Sequence, residues 1–274
     1  MPLRGASRQP SGHRTRAARA LFRLAGTCDN GRMLKPDVDL VLRPPQPAPA
    51  RVARRALALC AVACRSQLEP HAGDAEARAI HDSVRAWLAA ARVDAEFEDD
   101  ERRIVETPLG QLSREDAIAA GWRGEGAAVL AWGLGRWSLP AIDETVDASE
   151  VAMQLEWLAD DPLAFCESAR LRARTDVVQL AEMYEVAQWR LDRELAGEQA
   201  VSLRNFDAGS FQWPHEAARL PFAADGDLAV GGQALAAAPE HAKRLAQRIV
   251  VERRRAVNWL AGQHAVYSAV GVEA

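Results

Sequence analysis

Lysine is almost missing from this chain of 274 residues: it occurs only at Lys35 and Lys243, so 32 of the 34 basic residues are arginine. That scarcity excludes a phosphate-binding Walker loop, which needs Gly-Lys-Ser/Thr, because neither lysine follows a glycine. Long apolar runs are also lacking. None approaches the roughly 18–20 residues that span a bilayer, which argues against an integral helical membrane protein. The four cysteines form no Cys-x-x-Cys pair and stand at no zinc spacing with histidine, so reduced, buried thiols are expected. "HEAAR" (215–219) starts like a zinc-protease motif but lacks its second histidine, and no Gly-x-Ser-x-Gly elbow occurs. Neither a metal nor a cofactor is expected.

What is present describes a folded chain. Apolar residues at 49% and charged residues at 26% suit a globular protein of one large domain or two small ones. The net charge of −4 hides a division. Residues 1–32 hold seven arginines and a single acid, Asp29, leaving −10 for the remainder. This basic leader is expected to be disordered, and three readings of it stay open. It is a transit peptide, an arm for nucleic acid or anionic lipid, or a segment ahead of a true start at Met33. The acidic body argues against a nucleic-acid-binding domain.

Five prolines mark residues 33–50 as a linker, and helical patterns occupy 51 to 274. Asp74 heads a helix to about 92, with a stripe of Ile80, Val84, Trp87 and Leu88 that includes His81 as a core histidine. The acidic run Glu96, Glu98, Asp99, Asp100 and Glu101 reads as a solvated face. Ser113 heads a helix through about Trp137, and Asp147 with Glu150 resembles a capping box ahead of Pro162. Another helix runs from about Asp176 to Leu195, stopped by Gly197, and Pro239 opens a last one reaching about Ala261. Between them, 201–211 alternates weakly and Gly231-Gly232 separates two short apolar runs, a hairpin signal. The expected fold is mainly α: a bundle-like single domain with a small β-hairpin in its C-terminal third.

Helical spacing puts Ile118, Trp122, Glu125, Val129, Trp132 and Arg136 on one stripe of the 113–137 helix. Its opposite side is apolar too, so the helix belongs in the middle of a bundle. Five glycines within it suggest that neighbours approach its backbone closely. On the last helix Leu245, Ile249, Ala256 and Leu260 share a face with Arg253 and Glu252, while Arg254, Arg255 and Asn258 point away. A buried charge needs a partner. Glu125 and Arg253 are therefore expected to pair, with Glu252 and Arg136 completing the cluster. Fixing helix register is favoured over catalysis for this group.

"GWRGEGAAVLAWGLGRWSLPAID" (121–143), "LPFAADGDLAVGGQAL" (220–235) and "VVERRRAVNWLAG" (250–262) together resemble the bacterial family called domain of unknown function 4272. Trp122, Glu125, Trp132 and Gly135 carry the first likeness. Asp227, Leu228, Ala229 and Gly231 carry the second, and Glu252, Arg253, Ala256, Asn258 and Trp259 the third. The resemblance extends over about residues 50–262 and implies a cytoplasmic helical domain. The family's Tyr-Arg-x-His-Trp-Ala is reduced here to Tyr184 and Trp189, and Tyr267 stands where tryptophan is expected. No catalytic residue carries over.

Two functions remain in competition. The favoured one is a non-catalytic interaction module with a protein partner: an adaptor, accessory or immunity-type component. Trp189, which projects away from the Val177–Leu180–Tyr184–Leu191 stripe, is its candidate contact. The alternative is an enzyme or small-ligand binder that uses Glu125, Glu252, Arg253 and Asp227 in a pocket lined by Trp122, Trp132 and Trp259. A pocket with these charges converging favours the enzyme; a filled core with an exposed Trp189 favours the adaptor.

Overall fold

The computed structural model describes residues 45–198, 203 and 220–272. The leader, the linker as far as residue 44 and nearly all of the 201–211 stretch lie outside them. The helices are α1 (Pro49–Leu68), α2 (Ala75–Ala90), α3 (Asp99–Glu106), α4 (Arg114–Gly121) and α5 (Arg123–Gly133). They continue as α6 (Ala148–Gln154), α7 (Ala164–Ser168), α8 (Arg174–Leu195) and α9 (Glu240–Leu260). Two short antiparallel strands, β1 (Ala229–Val230) and β2 (Gln233–Ala234), precede α9. The fold is mainly helical with one small hairpin.

Small side chains decide how closely these helices meet. α1 opens with Pro49 in its first turn, where a missing amide costs nothing, and is buried almost continuously from Val52 to Ala63. Five of its buried positions are alanines, Ala53, Ala56, Ala58, Ala61 and Ala63. α5 is buried from Gly124 to Gly133 and packs between α1 and α9, while α8 covers another face of α9. A β-carbon on Gly126 would collide with the Tyr267 hydroxyl, and one on Gly133 would lie 2.5 Å from a Leu260 methyl. Gly124 meets Ala148 almost as tightly, at 3.1 Å. Gly121 is approached by the Ser66 hydroxyl at 3.3 Å, so the expected close approach is visible at four of the five glycines, Gly135 being the exception.

The stretch expected as one helix over 113–137 is two. Ser113 accepts a hydrogen bond from the Asp116 amide and starts α4, but the helix ends at Gly121, a poor helix former, and restarts after Trp122. α5 ends three residues short of Arg136. Gly135 adopts φ +73° and the Arg136 amide reaches back to the Ala131 carbonyl, a left-handed helix stop. Other boundaries also moved. Asp147 caps α6 through the Ser149 amide, but that helix stops at Gln154, ahead of positive φ at Glu156 and Leu158. Pro239 precedes the first turn of α9 rather than entering it. Ile80 and Leu245, both assigned to core faces, are 38% and 39% exposed.

The acidic run is corrected most. Asp99 and Asp100 are exposed, but Glu101 is buried and receives both terminal nitrogens of buried Arg55 at 2.6 and 2.7 Å. Glu98 and Glu101 form a capping box at the start of α3. Glu98 also accepts the amides of Tyr267 and Ser268. The segment thereby anchors the C-terminal turn, and the Tyr267 ring lies 4.4 Å under the Arg55 guanidinium.

Replacing Gly126 by alanine gains about 1 kcal/mol of helix propensity. It also drives a β-carbon into the hydroxyl of Tyr267, whose ring is held by Arg55 and Trp259, so a net loss of about 1–3 kcal/mol is expected in urea denaturation. The Tyr267 hydroxyl has no hydrogen-bond partner among the described residues, so Tyr267→Phe alone leaves stability unchanged or higher. Combined with Gly126→Ala, it restores most of the loss. A double variant as unstable as Gly126→Ala would refute this packing.

Candidate functional site

Arg253 lies in the middle of α9 with no exposed surface. Its Nε donates to Glu125 Oε2 at 2.9 Å. One terminal nitrogen donates to the carbonyls of Pro140 and Ala141 at 3.0 and 2.9 Å, and the other to that of Glu144 at 2.7 Å. The Tyr184 side chain of α8 adds a hydrogen bond. Glu125 uses its second oxygen on the Val146 amide, at 3.0 Å. One guanidinium therefore ties α5, α8 and α9 to the loop between α5 and α6. The planar fork of arginine, with five donors, suits this task in a way that an ammonium does not.

Burial pushes the Glu125 carboxyl above the usual carboxylate range, and Arg253 and the Val146 amide only partly draw it back. Burial pulls the other way on Arg253, but Tyr184 and Glu125 outweigh it and hold the guanidinium charged. All three nitrogens of Arg253 and both oxygens of Glu125 are thus engaged inside the chain. The pair is built as a strut, with its hydrogen-bonding capacity turned inward.

Two expected members of the cluster stand elsewhere. Arg136 is exposed, pairs with Glu156 at 3.3 Å and lies over Phe165, because α5 ends before its stripe reaches residue 136. Glu252 is buried but is gathered by Arg255 at 2.9 Å, Arg248 at 3.1 Å and Arg123 at 3.6 Å. Arg254 and Arg255, expected in solvent, are half-buried, and Asn258 is buried. Arg254 pairs with Glu185 and Gln188 of α8.

Asp227 belongs to a second buried pair. Arg190 of α8, fully buried, reaches both its oxygens at 2.7–3.0 Å. Arg190 also donates to Glu194 at 2.8 Å, which Lys243 of α9 meets at the same distance. Just beyond, Gly231 and Gly232 adopt φ +60° and +73°, the left-handed pair that a two-residue hairpin turn needs. The Gly231 amide donates to Asp143 at 2.6 Å. Arg190 carries no periodic signal of its own in the sequence; its place one residue after Trp189 in the altered Tyr-Arg-x-His-Trp-Ala segment is the only pointer.

The tryptophans divide unevenly. Trp132 and Trp259 are buried, Arg172 covering the first and Tyr267 meeting the second edge-on. Trp189 is half-buried against the core, with Arg193 over its ring, rather than standing out as a contact surface. Trp122 is half-buried and borders a surface hollow under Arg248. Among the described residues, no group of three or more His, Cys, Asp or Glu side chains is placed to hold a metal, and no helix is long and apolar enough to cross a membrane. His81 is buried beside Asp82.

The family model described as Domain of unknown function (DUF4272) matches residues 39–207. The chain belongs to that family. Comparisons with curated proteins and with solved structures give no match. The DUF4272 segment contains the 121–143 motif, whereas the other two motif segments lie past its end, short of the span to 262 expected from them. Both buried pairs cross that boundary. Arg253 binds Glu125 and Asp227 binds Arg190, each joining the DUF4272 segment to the C-terminal part of the chain.

Arg253→Ala strands Glu125 and three loop carbonyls in the core, and a loss of about 3–5 kcal/mol is expected. An unchanged melting temperature would sink the strut. Acid should act through a different carboxylate. Burial alone raises Glu194, but hydrogen bonds from Lys243 and Arg190 outweigh it and hold it below the usual range. Its contribution is therefore present above the unfolded value and lost as pH falls through the lower folded one. Glu125, shifted upward, has the opposite sign, so its ionised form costs stability as pH rises through its folded value. Glu194→Gln should flatten the acid limb of stability below about pH 4.5; a limb of unchanged slope would assign it to other groups.

Proposed function

We propose that this chain is a non-catalytic protein-interaction module, an adaptor, accessory or immunity-type component of the bacterial cytoplasm. One observation carries the reading. Glu125 and Arg253, the pair best suited to acid–base or anion chemistry, spend their polar atoms on each other and on the 140–146 loop. What faces outward is of another kind. Ile118, Met153, Leu158, Leu245 and Val266 are large apolar side chains with 39–68% of their surface exposed. Exposed apolar groups among charges are the raw material of protein interfaces. Free thiols at Cys60, Cys64 and Cys166 suit a reducing compartment, and the acidic body disfavours nucleic acid.

The test is capture from a native lysate at physiological salt, followed by reconstitution of the retained protein with the purified chain and measurement of stoichiometry by light scattering. A defined complex that survives reconstitution supports the module. Retention of no protein in stoichiometric amount overturns it.

A further inference from the structure

The hollow between α4 and α9 has a chemistry that the strut does not share. It is a shallow, largely open depression of about 560 Å³ lined by Arg114, Glu115, Ile118, Ala119, Trp122 and Arg248. Its apolar floor is exposed: Ile118, one turn before Trp122, keeps 55% of its surface in solvent. The Arg248 guanidinium stands 5.5 Å over the Trp122 ring, and its side chain is 45% exposed.

Arg248 leads from this hollow to a cluster whose charge does not balance. Glu252 supplies one negative charge to three guanidiniums, those of Arg123, Arg248 and Arg255. Two positive charges remain in surplus; Arg114 and Glu115 at the rim leave that net figure unchanged, and Arg114 is exposed. Mutual repulsion among three guanidiniums around one carboxylate is relieved by further negative charge from outside. This happens in a body whose net charge outside the leader is −10, so the arginine concentration is a local exception.

We infer that this hollow docks an acidic segment of a partner protein, in which an apolar side chain rests on Ile118 and Trp122 and flanking carboxylates meet Arg248 and Arg114. The inference deepens the interaction reading and rests on it. An apolar floor bordered by arginine is the pattern that recognises acidic, amphipathic peptides. A nucleic acid would need a longer basic track, and a lipid surface a broader one.

The experiment titrates the full chain into a fluorescein-labelled peptide of about 12 residues with a repeated Glu-Glu-Leu-Phe unit, read by anisotropy. A lysine-for-glutamate version, a labelled single-stranded oligonucleotide and vesicles of phosphatidylserine with phosphatidylcholine run beside it. The acidic peptide is expected to bind at least about tenfold more tightly than the lysine version and to weaken with salt. Arg114→Glu and Ile118→Ser, both at exposed positions, should each cut that affinity by about tenfold while melting as the parent does. Equal binding of the two peptides, preference for the oligonucleotide or the vesicles, or indifference to both substitutions overturns the proposal. A partner captured from lysate and retained by the Arg114→Glu, Ile118→Ser variant overturns the hollow but leaves the interaction reading standing.

Discussion

The guanidinium of Arg253 is the constraint on which the rest of the domain depends. It sits where α5, α8 and α9 meet and holds the carbonyls of residues 140, 141 and 144 on the far side. An apolar side chain of similar volume would fill that space at comparable or better stability, since desolvating two charges is costly. It would not say where the loop goes. Three directed hydrogen bonds to one loop fix its path, and that loop leads into α6 and brings Asp143 to the hairpin.

The same device recurs. Arg55 donates to Glu101 and the Glu96 carbonyl, Arg65 to Glu69 and the carbonyls of Thr107 and Pro108, and Arg190 to Asp227 and Glu194. All four arginines are essentially without exposed surface. In the clusters of Arg55, Arg65 and Arg253 a helix supplies the cation, a carboxylate neutralises it, and leftover donors bind loop carbonyls. With alanine and glycine bringing the helices close, little large apolar surface is left to locate the loops. Forked cations do so instead. The arginine excess is therefore partly structural: each of these positions uses more than one nitrogen, which a lysine does not offer.

Legibility tracks periodicity. Glu125 and Arg253 each lie on a helix whose apolar spacing is strong on both sides, so a charge on that face is visible as an anomaly. The Gly231-Gly232 turn is legible because only residues tolerant of positive φ fit both positions. Arg136 fails for the complementary reason: a periodic stripe says nothing about where the helix stops, and Gly135 stops α5 first. Glu101 and Glu98 are hidden inside an acidic run whose composition looks solvated, because their partners lie more than forty residues away in α1 and at the C-terminal turn. Arg190 and Asp227 read as unrelated because nothing in local spacing links a helix in the family segment to a hairpin beyond it.

Core and surface meet on adjacent residues of α9. Arg253 turns inward to Glu125, while its neighbour Glu252 turns toward the start of α5 and collects Arg123 and Arg248. Trp122, at the joint between α4 and α5, is three residues from Glu125 and forms the floor under Arg248. Locking Arg253 to Glu125 therefore sets the separation of α9 from the α4–α5 joint, and with it the width of the hollow. A surface shaped in this way is preorganised: whatever docks on it would not bear the cost of ordering it. The joint at Trp122 keeps helical dihedrals, φ −64° and ψ −18°, so Ile118, Trp122 and Glu125 stay on one stripe. Exposure falls along it from Ile118 at the surface, through half-buried Trp122, to Glu125 held by Arg253 in the core.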